Sequence, residues 1–416
     1  MYNILEKKHI SKFVEMKKIL HTKKTHDKIL HTAYFIVLNV FKKNISTRQS
    51  MSSKAIKFSS LSSSDKAKCN DQVQKVMRYT VYLDPWINRN KKGRLRVELI
   101  CLLRLALIDI FIRKVRQKTV LKKYTDLASS FERTKHGKDQ LRYFIHLGYL
   151  ELKKKYLKPV FLFESKIRTV LLGQYSLDSI KRVEKIFSKS SPIDISIKRS
   201  MAKDNYFKQI KGSSVNKTHY RFAQKTSLIK TKGYCSGDWW VQSLAASLPV
   251  KIAPIDIKGK TVLDVCCAPG GKSFQLADRG AILTSIDKSE KRLTLMKENL
   301  DRLNYDLSLV CMDVLDYKPK KLFDIILLDP PCTSTGTIGK NPDLQFLNPI
   351  DKLDELSKLQ EKMLECCANW LTDKGYIIYS VCSLLKEEGE DQISRFLRKN
   401  KKFCLVQPKK QFYLDQ

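Results

Sequence analysis

The sequence predicts two architectures in one chain. An α/β domain with a mostly parallel sheet and helices on both faces follows an all-α domain and a small α+β connector. Three observations lead there. From Gly259 onward, continuous apolar runs of strand length alternate with amphipathic helical stretches, the pattern of a sheet buried on both faces. From residue 25 to about 160, apolar residues recur at helical spacing. The charge also divides the chain. Of 416 residues, 79 are Lys or Arg and 42 are Asp or Glu, a net of +37. Residues 1–250 hold 53 basic and 18 acidic side chains, whereas residues 251–416 hold 26 and 24. A front part this basic argues against cationic ligands and suits a polyanion. A Lys-biased genome is the bland alternative.

Residues 1–24 form a basic lead with little pattern, expected to be disordered. In residues 25–160, Ile29, Ala33, Ile36, Val37 and Val40 mark one helix. After the break Ser59–Ser64, Ser64 or Asp65 is expected to cap a second helix, with Val73, Val76, Met77 and Val81 on its apolar face. A third starts near Arg94; its wide apolar face, Leu99 to Phe111, places it at the centre of a bundle. Val120–Arg133 and Gln140–Leu152 suit two more helices. In the connector, residues 161–250, the alternating Ile193, Ile195 and Ile197 suggest a strand, and Gly212–Asn216 a loop. In residues 251–416, strands are expected at Thr261–Cys266, Ala281–Asp287, Leu307–Met312, Phe323–Asp329 and Tyr376–Val381. Helices are expected from Lys272, over Glu290–Leu303 and over about Ile350–Leu371, and a last strand at Phe403–Val406.

Ligands of such sheets bind beyond the carboxyl ends of the strands, and five motifs fall there. Cys266, Cys267, Ala268, Pro269, Gly270, Gly271 and Lys272 form a turn between a strand and a helix; the glycines permit close approach of a ligand to the backbone. A phosphate-loop reading fails because position 266 is Cys where that motif needs Gly. Asp287 stands where an acidic side chain grips ribose hydroxyls, and Asp313 where one meets a purine edge. Each Asp alone suits a helix cap; together they indicate a cofactor containing a nucleoside. Asp329 precedes Pro330, Pro331 and Cys332, and Cys382 ends the fifth strand before the acidic run Glu387 to Asp391. All seven His lie at or before His219, which excludes a Cys–His dyad and His-based zinc motifs from the second domain. Eleven Cys without a C-x-x-C spacing fit free thiols in a reducing cytoplasm, with no metal. The greasiest stretch, Val97–Ile112, is broken by Glu98, Arg104 and Asp109, so no membrane span is expected.

The motifs DVCCAPGGKS, DKSEKRL with NLDRL, DPPCTSTGTIGKNPD and YSVCSLLKEEGEDQI, over roughly residues 233–395, resemble in order the signature of the RsmB/NOP (Sun) family. The segments LSSSDKAKCNDQVQKVMRYT and LRVELICLLRLALIDI are similar to the NusB-like helical, RNA-binding domain of its bacterial RsmB branch. The resemblance implies a Rossmann-like methyltransferase domain that uses S-adenosyl-L-methionine to methylate carbon-5 of a cytosine in RNA. The helical domain points to small-subunit (16S) rRNA as the partner, the chain acting as a monomer. By position, Cys382 matches the family nucleophile and Cys332 the second Cys, which releases the covalent product. Asp329 matches the acid that holds the base beside the cofactor, and Cys266 to Lys272, Asp287 and Asp313 match the cofactor site. Val381, Ser243, Lys386 and Gly389 depart from the usual Thr, Asp, Pro and Asn, and the closing Gly-Phe-Phe strand is absent. An RNA-binding assembly factor with impaired catalysis, a tRNA cytosine-5 methyltransferase and a nitrogen methyltransferase are the alternatives.

Overall fold

The computed structural model describes residues 28–91, 93, 95–129, 135–154, 160–202, 212–222 and 228–408. The expected lead, 1–24, and the end of the helix expected to Arg133 lie outside them. Two compact units divide the chain: residues 1–189 with 338–348, and residues 190–337 with 349–416.

The first unit is helical. Its long elements are α1 (Lys28–Lys43), α2 (Thr47–Ser52), α3 (Ser63–Asn90), α4 (Val97–Phe111), α5 (Gln117–Ala128), α6 (Lys135–Lys154), α7 (Ser165–Leu172) and α8 (Leu177–Phe187). Helix α4 is central, as its wide apolar face predicts: Leu102, Leu105, Ala106 and Leu107 are fully buried. The cap of α3 is Ser62, which accepts from the amide of Asp65 at 3.1 Å, rather than Ser64 or Asp65. Ser62 has the extended backbone that a cap requires, while Ser64 already lies in the first turn.

Residues 338–348, expected within the methyltransferase domain, pack into this helical unit instead. Arg78 on α3 donates to the carbonyl of Gly339 at 2.9 Å, and Asp343 accepts from the amide of Thr47 at 2.8 Å. Gln345 accepts from the amide of Glu164 at 3.0 Å, and Phe346 stacks on Phe41 with ring centroids 4.8 Å apart. Ion and amide partners of this kind satisfy buried groups that apolar periodicity does not register.

The second unit holds two sheets. The connector's strands β1 (Ile193–Ile197), β2 (Gly212–Asn216), β3 (His219–Phe222) and β4 (Trp239–Val241) form an antiparallel sheet in the order β2-β3-β1-β4. Gly212–Asn216 is therefore a strand, contrary to its Gly- and Ser-rich composition. Ladder pairing to His219–Phe222 overrides weak local propensity there. The unit boundary at Lys189 and Ser190 falls inside the expected connector, because α7 and α8 belong to the helical unit.

Helix α9 (Leu244–Ile252) then leads to the parallel sheet, whose strands are β5 (Thr261–Val265), β6 (Ile282–Asp287), β7 (Ser308–Cys311), β8 (Phe323–Leu328) and β9 (Leu371–Tyr379). Their order is β7-β6-β5-β8-β9, all neighbours parallel, so the chain reverses direction of winding at β5. The helices are α10 (Gly271–Asp278), α11 (Glu290–Leu303), α12 (Leu353–Asn369) and α13 (Glu390–Lys399). This is the expected Rossmann-like arrangement. Ser243 caps α9 by accepting from the amide of Ala246, a role Ser fills as well as the usual Asp. Phe403–Val406 is not a strand: it has no ladder partner among the described residues, and Phe403 packs on Phe396 instead.

Candidate active site

The first loop is built at the end of β5. Cys266 adopts a left-handed backbone, φ 61°, and the Ala268 amide then donates to Asp287 at 3.1 Å. Asp287, 4 % exposed, ends β6 and also accepts from the amide of Ser289 at 2.9 Å. Its carboxylate therefore ties the loop to the neighbouring strand end. Gly270 has φ 104°, and a Cβ there would lie 2.4 Å from the Phe274 ring. A Cβ on Gly271 would meet nothing closer than 3.5 Å. So Gly270 answers to the fold, whereas Gly271 lies in ordinary contact with Gln242 and its carbonyl accepts from the Trp240 indole at 3.2 Å.

Lys272, in the first turn of α10, places its ammonium 2.6 Å from the Asp329 carboxylate beyond β8. Cys267 and Ala268 rest on Phe274 and Met296 in a small apolar cluster. Burial pushes the Cys266 thiol up to about 12 and raises Cys267 further, so neither is a nucleophile. Asp313 lies two residues beyond β7 and accepts from the amide of Leu315 at 3.1 Å.

Asp264, the first residue of the DVCCAPGGKS motif, has no role legible from the sequence. It is 1 % exposed in the middle of the sheet; one oxygen accepts from Ser273, and the other has no partner. Burial raises its carboxyl to about 7. An unpartnered buried oxygen costs about 1–3 kcal/mol, which makes it a place for a donor from a ligand. The signal was an acidic residue inside an otherwise apolar strand.

The second loop pair holds the thiols. Strands β8 and β9 are adjacent and parallel, with Leu328 opposite Tyr379, so the segments after them emerge side by side. The sulfurs of Cys332 and Cys382 stand 3.3 Å apart. Gly336 donates its amide to the Cys382 carbonyl at 3.0 Å, and the hydroxyls of Thr333 and Ser383 meet at 3.0 Å. Glu388 pins both segments from beneath. It is fully buried, accepts from the Thr333 amide and from Gln360, each at 2.9 Å, and its own carbonyl accepts from Tyr379 at 2.7 Å. Charge runs are usually solvated, so Glu388 was not legible as a buried pin.

The two thiols differ. Cys382 is exposed and lowered to about 7 by the adjacent Cys332 thiol, which outweighs burial, with the Ser334 hydroxyl assisting. Cys332 is half-buried and raised by the same contact and by burial. The contact thus favours the thiolate at Cys382 and the thiol at Cys332, with Asp329 at the junction of the two loops: its oxygens face Lys272 and, at 3.4 Å, the Ser380 hydroxyl. Among the described residues no cluster of His, Cys, Asp and Glu could hold a metal. No helix among them is long and apolar enough to cross a membrane.

Comparison with known proteins follows this geometry. Residues 253–413 match the family model for 16S rRNA methyltransferase RsmB/F. Over these residues the chain is similar to the RsmB/F family. Ribosomal RNA small subunit methyltransferase B of Shewanella oneidensis is 39 % identical over 141 residues, 33 % of each chain. The protein of that name from Vibrio vulnificus is 30 % identical over 217 residues, 49 % of this chain and 50 % of its own. The chain thus spans a third to a half of the length of these RsmB relatives. A structure titled "Crystal Structure of PH0851" shares 21 % identity, covers 91 % of this chain and 90 % of its own, and superposes with a TM-score of 0.70, which shows the shared fold. Every residue assigned to the RsmB/F site from sequence lies at the carboxyl edge of the parallel sheet.

Proposed function

We propose that the chain transfers a methyl group from S-adenosyl-L-methionine to carbon-5 of a cytosine in RNA, with small-subunit rRNA as substrate. The observation that carries this reading is the pair of sulfurs 3.3 Å apart, one exposed and lowered to about 7. A methyl transfer to a nitrogen lone pair needs no thiol; carbon-5 of cytosine does, because it is a poor nucleophile until carbon-6 is attacked.

The residues fit the cofactor. The unpartnered Asp264 oxygen and the Asp287 and Asp313 carboxylates offer acceptors for an ammonium and for nucleoside hydroxyl and amine groups. When bound, the cofactor supplies an electrophilic methyl group. The Cys382 thiolate adds to carbon-6 of the cytosine, and the electron pair moves to carbon-5. Asp329, held by Lys272, fixes the base beside the methyl donor. After carbon-5 is methylated, Cys332, having lost its own proton to solvent, takes the carbon-5 proton; the carbon–hydrogen pair reforms the ring double bond, the carbon–sulfur bond breaks, and its pair returns to Cys382. A base inside a stem is extruded first, or the target lies in a loop.

The reading is tested with Cys332→Ala, cofactor and unmodified small-subunit rRNA on a denaturing gel. A slower-migrating protein–RNA adduct is expected. If none forms while wild type methylates, Cys332 does not release the product. Full activity in Cys382→Ser would instead favour methylation at nitrogen.

A further inference from the structure

We propose that Ser334 is a further catalytic residue, its hydroxyl donating to whichever of the two cysteine sulfurs carries the negative charge. The inference rests on the reading of Cys382 as nucleophile and Cys332 as base. The Cys382 thiol donates to the Ser334 oxygen at 3.3 Å, and the Cys332 sulfur lies 3.8 Å from the same oxygen; once Cys382 is a thiolate it can only accept, and the bond must reverse. Its own proton goes to the Cys332 carbonyl at 3.3 Å while Cys382 is a thiol, and rotation about the Cβ–Oγ bond turns it to the sulfurs. The backbone aims it there: Ser334 has φ 56°, in the left-handed region, and its carbonyl accepts from the Thr337 amide at 2.9 Å. A residue with a Cβ enters that region at a cost of about 1 kcal/mol, which hydrogen bonds around it must offset.

Two sulfurs that take charge in turn create the need. In the first half of the cycle Cys382 is the thiolate, and both the Cys332 thiol and the Ser334 hydroxyl can donate to it. Once the Cys382 sulfur is bonded to carbon-6 it carries no charge. Cys332 must then lose its own proton to solvent and act as base, and its former acceptor can no longer stabilise it. A hydroxyl rotates about one bond, so the same Ser334 proton can turn from the first sulfur to the second. On release, the proton of carbon-5 passes to Cys332, the carbon–sulfur bond breaks, and the electron pair restores the Cys382 thiolate and its Ser334 bond. The other charged and titratable groups facing the pair are Asp329 and Lys272 at Cys382, and Glu388 and Tyr379 at Cys332. Of these Lys272 is the cation, and it is held by Asp329 at 2.6 Å.

The test needs neither RNA nor cofactor. Iodoacetamide alkylation of Cys382 is followed against pH, with the site read by peptide mass spectrometry, in Cys332→Ala and in Cys332→Ala with Ser334→Gly. Glycine keeps the left-handed backbone and removes only the hydroxyl. The midpoint is expected to rise by about one pH unit, so that alkylation at pH 7 slows about five- to tenfold. Cys332→Ala with Ser334→Ala should shift equally. Coincident profiles for the glycine pair would overturn the proposal, as would a shift in the alanine pair alone, which would report backbone strain. Because alkylation is the readout, a wild-type protein that methylates nothing would sink the proposed function and leave this result standing. A second measurement reads the Cys332 half: Ser334→Gly with cofactor and rRNA should accumulate adduct. Full turnover without adduct would overturn that half.

Discussion

Asp264 shows how one side chain can hold opposite consequences for fold and function. Its carboxyl is raised to about 7 by burial, above the ordinary 3.8 it has when unfolded. The folded state therefore binds more protons than the unfolded state between these values, and stability falls as pH rises through that window. Asp264→Asn keeps the shape and the Ser273 bond without the buried charge. At pH 8 the variant without ligand should be more stable by about 1 kcal/mol or more in urea unfolding, and its advantage should vanish near pH 4. Its affinity for S-adenosyl-L-methionine, read by calorimetry, should fall about tenfold or more. Equal affinity would remove Asp264 from the cofactor site. Single residues were also where the sequence was least legible. Cys332 and Cys382 stood out as thiols at neighbouring strand ends, but nothing in the order of residues said that their sulfurs touch. Asp264, Ser334 and Glu388 gain their roles only from what packs around them.

At the scale of elements, the glycine loop and residues 338–348 carry the predictions. Gly270→Ala puts a Cβ into the Phe274 ring at a positive φ, whereas Gly271→Ala meets only ordinary contacts. The first should cost about 1–3 kcal/mol of stability. The second should leave the melting temperature unchanged, because its methyl makes only ordinary contacts with Gln242. Thermal melts separate the two. In the helical unit, Arg78 is 7 % exposed and donates to the carbonyls of Gly339 and Phe187. Arg78→Ala strands both acceptors and should destabilise that unit by about 1–3 kcal/mol, with faster tryptic cleavage after Lys340. Elements of the parallel sheet were legible because strands buried on both faces are continuous apolar runs. The strand Gly212–Asn216 and the packing of residues 338–348 were not, because ladder pairing and long-range hydrogen bonds decide them and neither leaves a periodic trace.

For the whole molecule, charge and chemistry divide between the parts of the chain. Residues 251–416 are close to neutral, and the net positive charge concentrates in residues 1–250. Phosphate contacts from that part would give affinity and register rather than base choice. RNA affinity should fall more than about tenfold between 50 and 200 mM salt, by filter binding or anisotropy. A salt-insensitive affinity would return the net charge of +37 to a Lys-biased composition. The central claim is a cysteine-dependent methylation of carbon-5. Incubation of unmodified small-subunit rRNA with methyl-labelled S-adenosyl-L-methionine, followed by nucleoside analysis, tests it most directly. Labelled 5-methylcytidine is expected from the wild-type protein and none from Cys382→Ala. No labelled 5-methylcytidine from the wild type, or equal label from both proteins, would contradict it.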